Sequence, residues 1–491
     1  MSVKTVEQYD LEALQVLNAL PEKITPKDRN KIPHQEMPVQ DPHERIHNMN
    51  EVAIGYTENQ AVVEAYRCLQ CKNKPCVQGC PVSIDIPAFI HKVTEKDYNG
   101  ALRVIQDSSL LPAICGRVCP QENQCQKFCT VGKVNKDVDK AVGIGRIERF
   151  VATYAEAELP PVAPATGKKV AIVGSGPAGI ACAADVRKAG HEVVMFEALH
   201  KMGGVLSYGI PEFRLPKRLV EKELSKLEAM GIKFEKNVLI GRTRTIKELM
   251  EEDGYDAVFV GTGAGLPKFM RIPGENYISV FSANEYLTRS NLMKAYDEEH
   301  SLTPFFHAKR VAVFGGGNVA MDAARTALRL GAEFVDIVYR RARAEMPARK
   351  EEVEHAVEEG CNLRLLSQPV EILGNEQGLV TGVKIRKCEL GEPDASGRRS
   401  PVEIPGSDYV VPYDAVIVSI GNASNPLIKA TTPEIEVNKR GNFIVDGETN
   451  QTSIEGVFAG GDIVLGAATV ILAMGQGRKA AAAMNAYLAK K

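Results

Sequence analysis

The chain has 491 residues, a formal charge of −2, 44% hydrophobic and 25% charged residues, and eleven cysteines. That length holds roughly three domains with sizeable cores, the near-neutral charge excludes a chain devoted to nucleic acid, and no apolar run is long enough for a membrane span. The start MSVKTVEQYD has no basic stretch followed by an apolar core, so a reducing, cytoplasmic setting is expected.

Residues 1–45 are polar, punctuated by Pro21, Pro26, Pro33, Pro38 and Pro42, and read as an extended arm. Residues 46–165 carry helical patterns and, between 68 and 129, eight of the cysteines in two quartets, each with a Cys-Pro step. The first is Cys68, Cys71, Cys76, Cys80-Pro81; the second is Cys115, Cys119-Pro120, Cys125, Cys129. Thiolates are the soft ligands that iron–sulfur clusters need, and Cys-Pro closing a Cys-x3-Cys run is the bacterial ferredoxin habit, although the middle gap here is longer. Structural zinc prefers paired Cys-x2-Cys knuckles, and only Cys68/Cys71 has that form. Disulfides would need an oxidising compartment. The spacing alone therefore points to two clusters of four thiolates each. Cys182, Cys361 and Cys388 stand alone and read as small buried hydrophobes.

Past a linker (PPVAPATGK), strand and helix signals alternate, which means a parallel sheet covered by helices. The first glycine turn is Gly174-Ser175-Gly176-Pro177-Ala178-Gly179, between an apolar strand and a helix, with Glu197 closing the next strand. Its glycines let backbone approach a pyrophosphate at a helix N-terminus, and the acid accepts hydrogen bonds from the adenosine ribose. An internal repeat follows. Lys169-Val170-Ala171-Ile172-Val173-Gly174 returns as Arg310-Val311-Ala312-Val313-Phe314-Gly315, and Tyr255–Val260 returns as Tyr413–Val418. The second turn is Gly315-Gly316-Gly317-Asn318-Val319-Ala320, and alignment puts Arg340, with Arg341 beside it, where the first copy has Glu197. An acid there repels a 2′-phosphate and arginines bind it, so this site should prefer NADPH; the competing reading is a solvated basic patch with Arg343 and Arg349.

A third segment, Gly456-Val457-Phe458-Ala459-Gly460-Gly461-Asp462, leads through Ala468, Thr469 and Val470 into a glycine-dotted helix. A strand ending in Gly-Asp before such a helix is how two-domain flavoproteins close over FAD, and the helix would aim its positive end at the flavin ring. The expected fold is thus α/β: an N-terminal α-helical iron–sulfur domain, then two Rossmann-like dinucleotide-binding domains, the second inserted in the first. The expected bounds are 166–305 and 426–491 for the FAD-binding domain and 306–425 for the NADPH-binding domain.

These motifs in this order resemble the glutamate synthase small-subunit family, over about residues 40–491. That family includes the large subunit of NADH-dependent reduced ferredoxin:NADP⁺ oxidoreductase, the sulfide dehydrogenase alpha subunit and the N-terminal half of dihydropyrimidine dehydrogenase. The run Gly203-Gly204-Val205-Leu206-Ser207-Tyr208-Gly209-Ile210-Pro211-Glu212-Phe213-Arg214-Leu215-Pro216 carries the likeness most specifically, and the closing GAATVILAMGQGRKAA looks closer to the ferredoxin oxidoreductase and sulfide dehydrogenase branch. The resemblance implies FAD, NADP(H) and two [4Fe–4S] clusters. It implies Gly204, Leu206 and Arg214 near the flavin, with Arg214 stabilising negative charge on its reduced ring. It also implies an uneven ligand set: one cluster on Cys80, Cys119, Cys125 and Cys129, the other on Cys68, Cys71, Cys76 and Glu148, with Cys115 left out. The expected activity is NADPH-dependent electron transfer to or from a partner in a hetero-oligomer. That partner would be a smaller flavin/iron–sulfur subunit, a ferredoxin, or a glutamate synthase large subunit. A nucleotide-sensing regulator with structural metal is the reading from another class.

Overall fold

The computed structural model describes residues 4–156 and 158–491. The arm is less extended than its prolines suggest: Val6–Asn18 is a helix started by a reciprocal capping box between Thr5 and Gln8. The arm then runs across the molecule, and Arg45 ends fully buried against Glu359, 314 residues away. The iron–sulfur domain is built from the helices Glu58–Tyr66, Ile86–Thr94, Tyr98–Gln106, Pro112–Val118 and Ile144–Tyr154 around a core including Phe89, Ile90, Ile105, Ile114 and Ile147. Asp85 and Asp97 cap two of these helices, and most of the cysteines lie in the short segments between them, with Cys115 inside Pro112–Val118.

The nucleotide region opens with β1 (Lys169–Val173), β2 (Glu192–Glu197), β3 (Lys233–Lys236) and β4 (Ala257–Val260). It continues through β5 (Leu266–Pro267), β6 (Val280–Ser282), β7 (Arg310–Phe314), β8 (Phe334–Val338) and β9 (Asn362–Arg364). An antiparallel group follows: β10 (Ser367–Gly374), β11 (Val380–Pro393), β12 (Arg399–Glu403) and β13 (Tyr409–Val411). The chain returns through β14 (Ala415–Val418), β15 (Asn422–Ala423) and β16 (Val457–Ala459). One parallel sheet has the order β16-β4-β1-β2-β3 and the other β6-β14-β7-β8-β9. The C-terminal β16 thus completes the first sheet, and the second domain is inserted in the first. The two crossings pair with each other as β5 and β15.

The repeat has a shared chemistry. Asp256, before β4, accepts the N–H of Lys169 at 3.0 Å, and Asp414, before β14, accepts that of Arg310 at 2.9 Å. Each Tyr-Asp step therefore pins the start of the neighbouring central strand. Because β6 pairs with β14, it belongs to the second sheet, and the chain crosses between the sheets at β5 and returns at β15. Residues 268–305 lack a glycine turn of their own, so the repeat could not reveal an outer strand there.

Candidate functional site

The first glycine turn is tight on two sides and open on the third. Gly174 has φ +99, and a methyl there would sit 2.5 Å from the Gly261 carbonyl oxygen; one at Gly179 would sit 2.0 Å from that of Gly174. A methyl at Gly176 would meet nothing within 4 Å, which leaves that backbone face free for a pyrophosphate. Pro177 begins the helix Pro177–Lys188 and Ala178 follows it, buried. Glu197 is buried at the end of β2, where its carboxylate accepts from the Ser175 N–H at 3.1 Å and the Leu199 N–H at 2.9 Å. Gly204 (φ +53) brings its segment against Gly176, where a methyl would lie 2.9 Å from the Gly176 α-carbon, and Leu206 beside it is fully buried.

The last helix, Val470–Leu488, lies across this turn. Gly477 lets it approach so closely that a methyl would sit 2.1 Å from the Ala178 carbonyl oxygen. Thr469 caps it. Gly461 (φ +78) turns the chain beneath it, donating its N–H to Gln476 at 2.9 Å. Asp462 accepts the Ala468 N–H at 3.2 Å, and burial lifts its carboxyl to about 6. The residues expected to bind FAD are therefore assembled: the open glycine face, the ribose-side acid and the dipolar start of a long helix fit a dinucleotide.

The second turn repeats the first. Gly315 is tight against the Ser419 carbonyl oxygen, at 2.2 Å from an added methyl, and Gly316 lies against the Tyr339 ring. A methyl at Gly317 would meet only the Pro347 ring, at 3.9 Å, and Asn318 begins the helix Asn318–Arg329 with Val319 exposed beside it. The two arginines part company. Arg340 is exposed at the end of β8, whereas Arg341 is buried and its Nη2 donates to Asp394 at 2.5 Å. Of the two, only Arg340 has a guanidinium that is exposed and without an ion-pair partner among the described residues.

The cysteines form two groups that differ from those the resemblance implies. Cys68, Cys71, Cys76 and Cys129 line one cavity, with Pro75, Thr130 and Ile144 between them. Cys80, Cys119 and Cys125 each feel the charge of Glu148. Cys129 and Glu148 have thus exchanged places. The reason is packing: the turn Gln126–Phe128 folds onto the turn Pro75–Gln78, where a methyl at Gly79 would strike the Phe128 ring at 2.5 Å. Glu148 rides the helix Ile144–Tyr154, which packs so closely on Pro112–Val118 that a methyl at Gly116 would meet the Arg149 nitrogen at 2.6 Å.

Glu148 is buried, its Oε1 has no hydrogen-bond partner, and burial alone pushes its carboxyl up to about 8. Burial likewise holds Cys125 well above the usual thiol range. Three thiols, Cys119 buried and Cys80 and Cys125 part-buried, beside an orphaned carboxyl fit a cationic centre that would convert all four to their anionic forms. Cys115 lies beside Cys119 in the same group and also turns its Sγ toward the Met474 sulfur, 3.7 Å away.

Arg214 is engaged differently from the expectation. Its Nη1 donates to both oxygens of Asp322 at 2.7 Å and its Nε lies 3.1 Å from Glu352, so it ties the first nucleotide domain to the second. A guanidinium committed to two carboxylates is a poor candidate for stabilising charge on a flavin. Sequence reasoning missed this buried network, which continues through Arg325, Glu359 and Arg45. Asp322 stands in the GGGNVAMD string, five residues after Gly317, and was a visible but unread signal.

Residues 45–159 match the family described as dihydropyrimidine dehydrogenase domain II, 4Fe-4S cluster, and residues 168–483 match pyridine nucleotide-disulphide oxidoreductase. Among curated relatives, the glutamate synthase [NADPH] small chain of Halomonas elongata is 37% identical, over 90% of this chain and 94% of its own. The glutamate synthase [NADPH] small chain of Escherichia coli is 38% identical over 88% and 92%. The NADP(+)-dependent formate dehydrogenase subunit beta of Moorella thermoacetica is 39% identical over 84% of this chain but 60% of its own length. Among solved structures, Mycobacterium tuberculosis FprA in complex with NADPH overlays with a TM-score of 0.55 at 21% identity, covering 67% of this chain and 85% of that one. That likeness concerns the fold of the nucleotide region.

Proposed function

Because the chain belongs to the pyridine nucleotide-disulphide oxidoreductase family, in the branch of the glutamate synthase small chains that adds a 4Fe-4S domain, we propose that it passes electrons from NADPH through FAD and two [4Fe–4S] clusters to a partner protein. FAD and the clusters, when bound, supply the hydride exchange and the single-electron steps. The chain's own residues bind and space them. Gly176 and the start of the helix Pro177–Lys188 would take the FAD pyrophosphate, Glu197 its ribose, and Asp462 with Ala468, Thr469 and Val470 the remainder. Gly316, Gly317 and Asn318 would take the pyrophosphate of NADPH and Arg340 its 2′-phosphate.

The observation that carries this reading is the helix Val470–Leu488. It packs on the first glycine turn at Gly477, and its first turns touch three residues that neighbour the Cys80/Cys119/Cys125/Glu148 group. Gln124 donates to Thr469 at 3.4 Å, Cys115 meets Met474, and a methyl at Gly475 would sit 2.9 Å from the Pro81 carbonyl oxygen. These contacts support the Glu148 group as the one nearer the flavin. Cys125 also feels the charge of Cys76, so the second group is next in line. Among the described residues no helix is long and apolar enough to cross a membrane.

The relatives that cover their own length nearly completely favour one partner class, a large glutamate synthase subunit fed by this chain. A ferredoxin or a smaller flavin/iron–sulfur subunit is the other. Both leave this chain as one member of a hetero-oligomer. Metal and flavin analysis tests the reading: about eight irons and one FAD per chain are expected. Cys115→Ser should leave the iron in place and Cys125→Ser should lose a cluster. Zinc, or about four irons, would refute it.

A further inference from the structure

Five lysines surround the cysteine group that lies farther from the flavin turn. Segments 71–79 and 126–136, which supply Cys71, Cys76 and Cys129, hold Lys72, Lys74, Lys127, Lys133 and Lys136 and no acid, although acids outnumber bases along the chain by 62 to 60. All five are exposed. Lys74 pairs with Asp85 at 2.5 Å, and the other four make no ion pair among the described residues. They share one face because the fold joins their segments. The Cys71 sulfur lies 3.2 Å from the Thr130 hydroxyl, and the Lys133 ammonium sits 5.6 Å from the centre of the Phe128 ring. Val134, 57% exposed, stands among them. The wall of the pocket reaches solvent here at Cys71, while Cys80 and Cys125 of the other group are part-exposed on the side of the helix Val470–Leu488, against which Pro81 and Gln124 pack.

We propose that this face docks an electron-transfer protein whose own redox centre is ringed by carboxylates. Fixed positive charge around an exit point raises the encounter rate with such a partner and orients it, while the small apolar centre allows close approach without tight binding. The proposal rests on the electron route above. It balances as NADPH and two oxidised one-electron partners giving NADP⁺, one proton and two reduced partners, in either direction.

The test uses full-length holoenzyme, wild type and with Lys72, Lys127, Lys133 and Lys136 all changed to Glu, plus a Lys→Gln set and a Lys→Arg set. NADPH-driven reduction of a strongly acidic [2Fe–2S] ferredoxin, of basic cytochrome c and of a small dye accepting from the flavin is followed at low and high salt, with iron content measured alongside. At low salt the Glu variant should lose about tenfold or more in kcat/KM for ferredoxin and the Gln variant less, while the Arg variant keeps the wild-type rate. The salt sensitivity of the wild type should vanish, cytochrome c should gain, and dye reduction and iron should not change. Ferredoxin reduction equal to wild type would overturn the proposal. So would a loss that tracks iron content, or salt-dependent binding to anionic vesicles or DNA that the variants abolish while ferredoxin reduction persists. A wild type that reduces the dye while its clusters stay oxidised would remove the electron route itself, and this docking face with it.

Discussion

Arg214 and Asp322, one in each nucleotide domain, are joined by two hydrogen bonds of 2.7 Å with both side chains buried. Asp322 lies in the helix that follows the second glycine turn, so this pair fixes the turn relative to the first domain. Burial lifts Asp322 to about 6 although Arg214 pulls it down. Glu352 is held at about 2: burial opposes its charge, and Arg214 and Arg325 more than compensate.

Arg214→Ala would strand the buried Asp322 and leave Glu352 with Arg325 alone. We expect a loss on the order of 3–5 kcal/mol of stability, most of it from the uncompensated charges. Urea unfolding checks this, and a loss below about 1 kcal/mol would mean the pair behaves like a surface ion pair. Arg214→Lys should recover part of the loss, since it restores charge without the two-pronged geometry.

Coenzyme choice should rest on Arg340 more than on Arg341. Arg340→Ala is expected to weaken NADPH, but not NADH, by about 1.5–3 kcal/mol, the worth of a charged hydrogen bond. Arg341→Ala should shift the two coenzymes together, since it releases Asp394 and the loop between β11 and β12. The ratio of kcat/KM values for the two coenzymes decides. An equal loss for both in Arg340→Ala would make it a surface residue.

Glu64 is a structural acid in the iron–sulfur domain. It accepts from Arg67, His34, the Gln35 N–H and the Gly143 N–H, and so holds the entry to the helix bearing Glu148. Burial alone would raise its pKa, but the His34 hydrogen bond and the Arg67 charge bring it down to about 2 from 4.5. A depressed folded-state pKa gives stability that is present above 4.5 and fades as pH falls toward about 2. The amount is on the order of 3 kcal/mol. Glu64→Gln should therefore lower stability at pH 7 and flatten the acid limb of a pH–stability profile. An unchanged limb would show that other carboxylates control it.

Much of the fold was legible in the chain. The repeated strand openings, the two Tyr-Asp steps and the third glycine segment locate both parallel sheets and the insertion, since each reflects a local backbone demand. What was not legible depends on distant contacts. Whether Cys129 belongs with Cys125 or with Cys76 is decided by Phe128 packing on Gly79, which no spacing reports. Arg214 read as a flavin-side cation because its partner lies 108 residues on. The helix in the arm is a different case: Thr5 and Gln8 have the capping-box spacing, and the prolines after residue 20 outweighed it.

The central claim is that the cluster beside the flavin is held by Cys80, Cys119, Cys125 and Glu148, with the other on Cys68, Cys71, Cys76 and Cys129. Paramagnetic resonance of the NADPH-reduced Cys129→Ser protein tests it most directly, read beside the Cys76→Ser and Cys125→Ser proteins. A carboxylate ligand gives the near cluster a potential and a spin signal distinct from those of a four-thiolate site. The account predicts that Cys129→Ser and Cys76→Ser lose the same signal and keep the carboxylate-ligated one. Loss in Cys129→Ser of the signal that Cys125→Ser loses would contradict it.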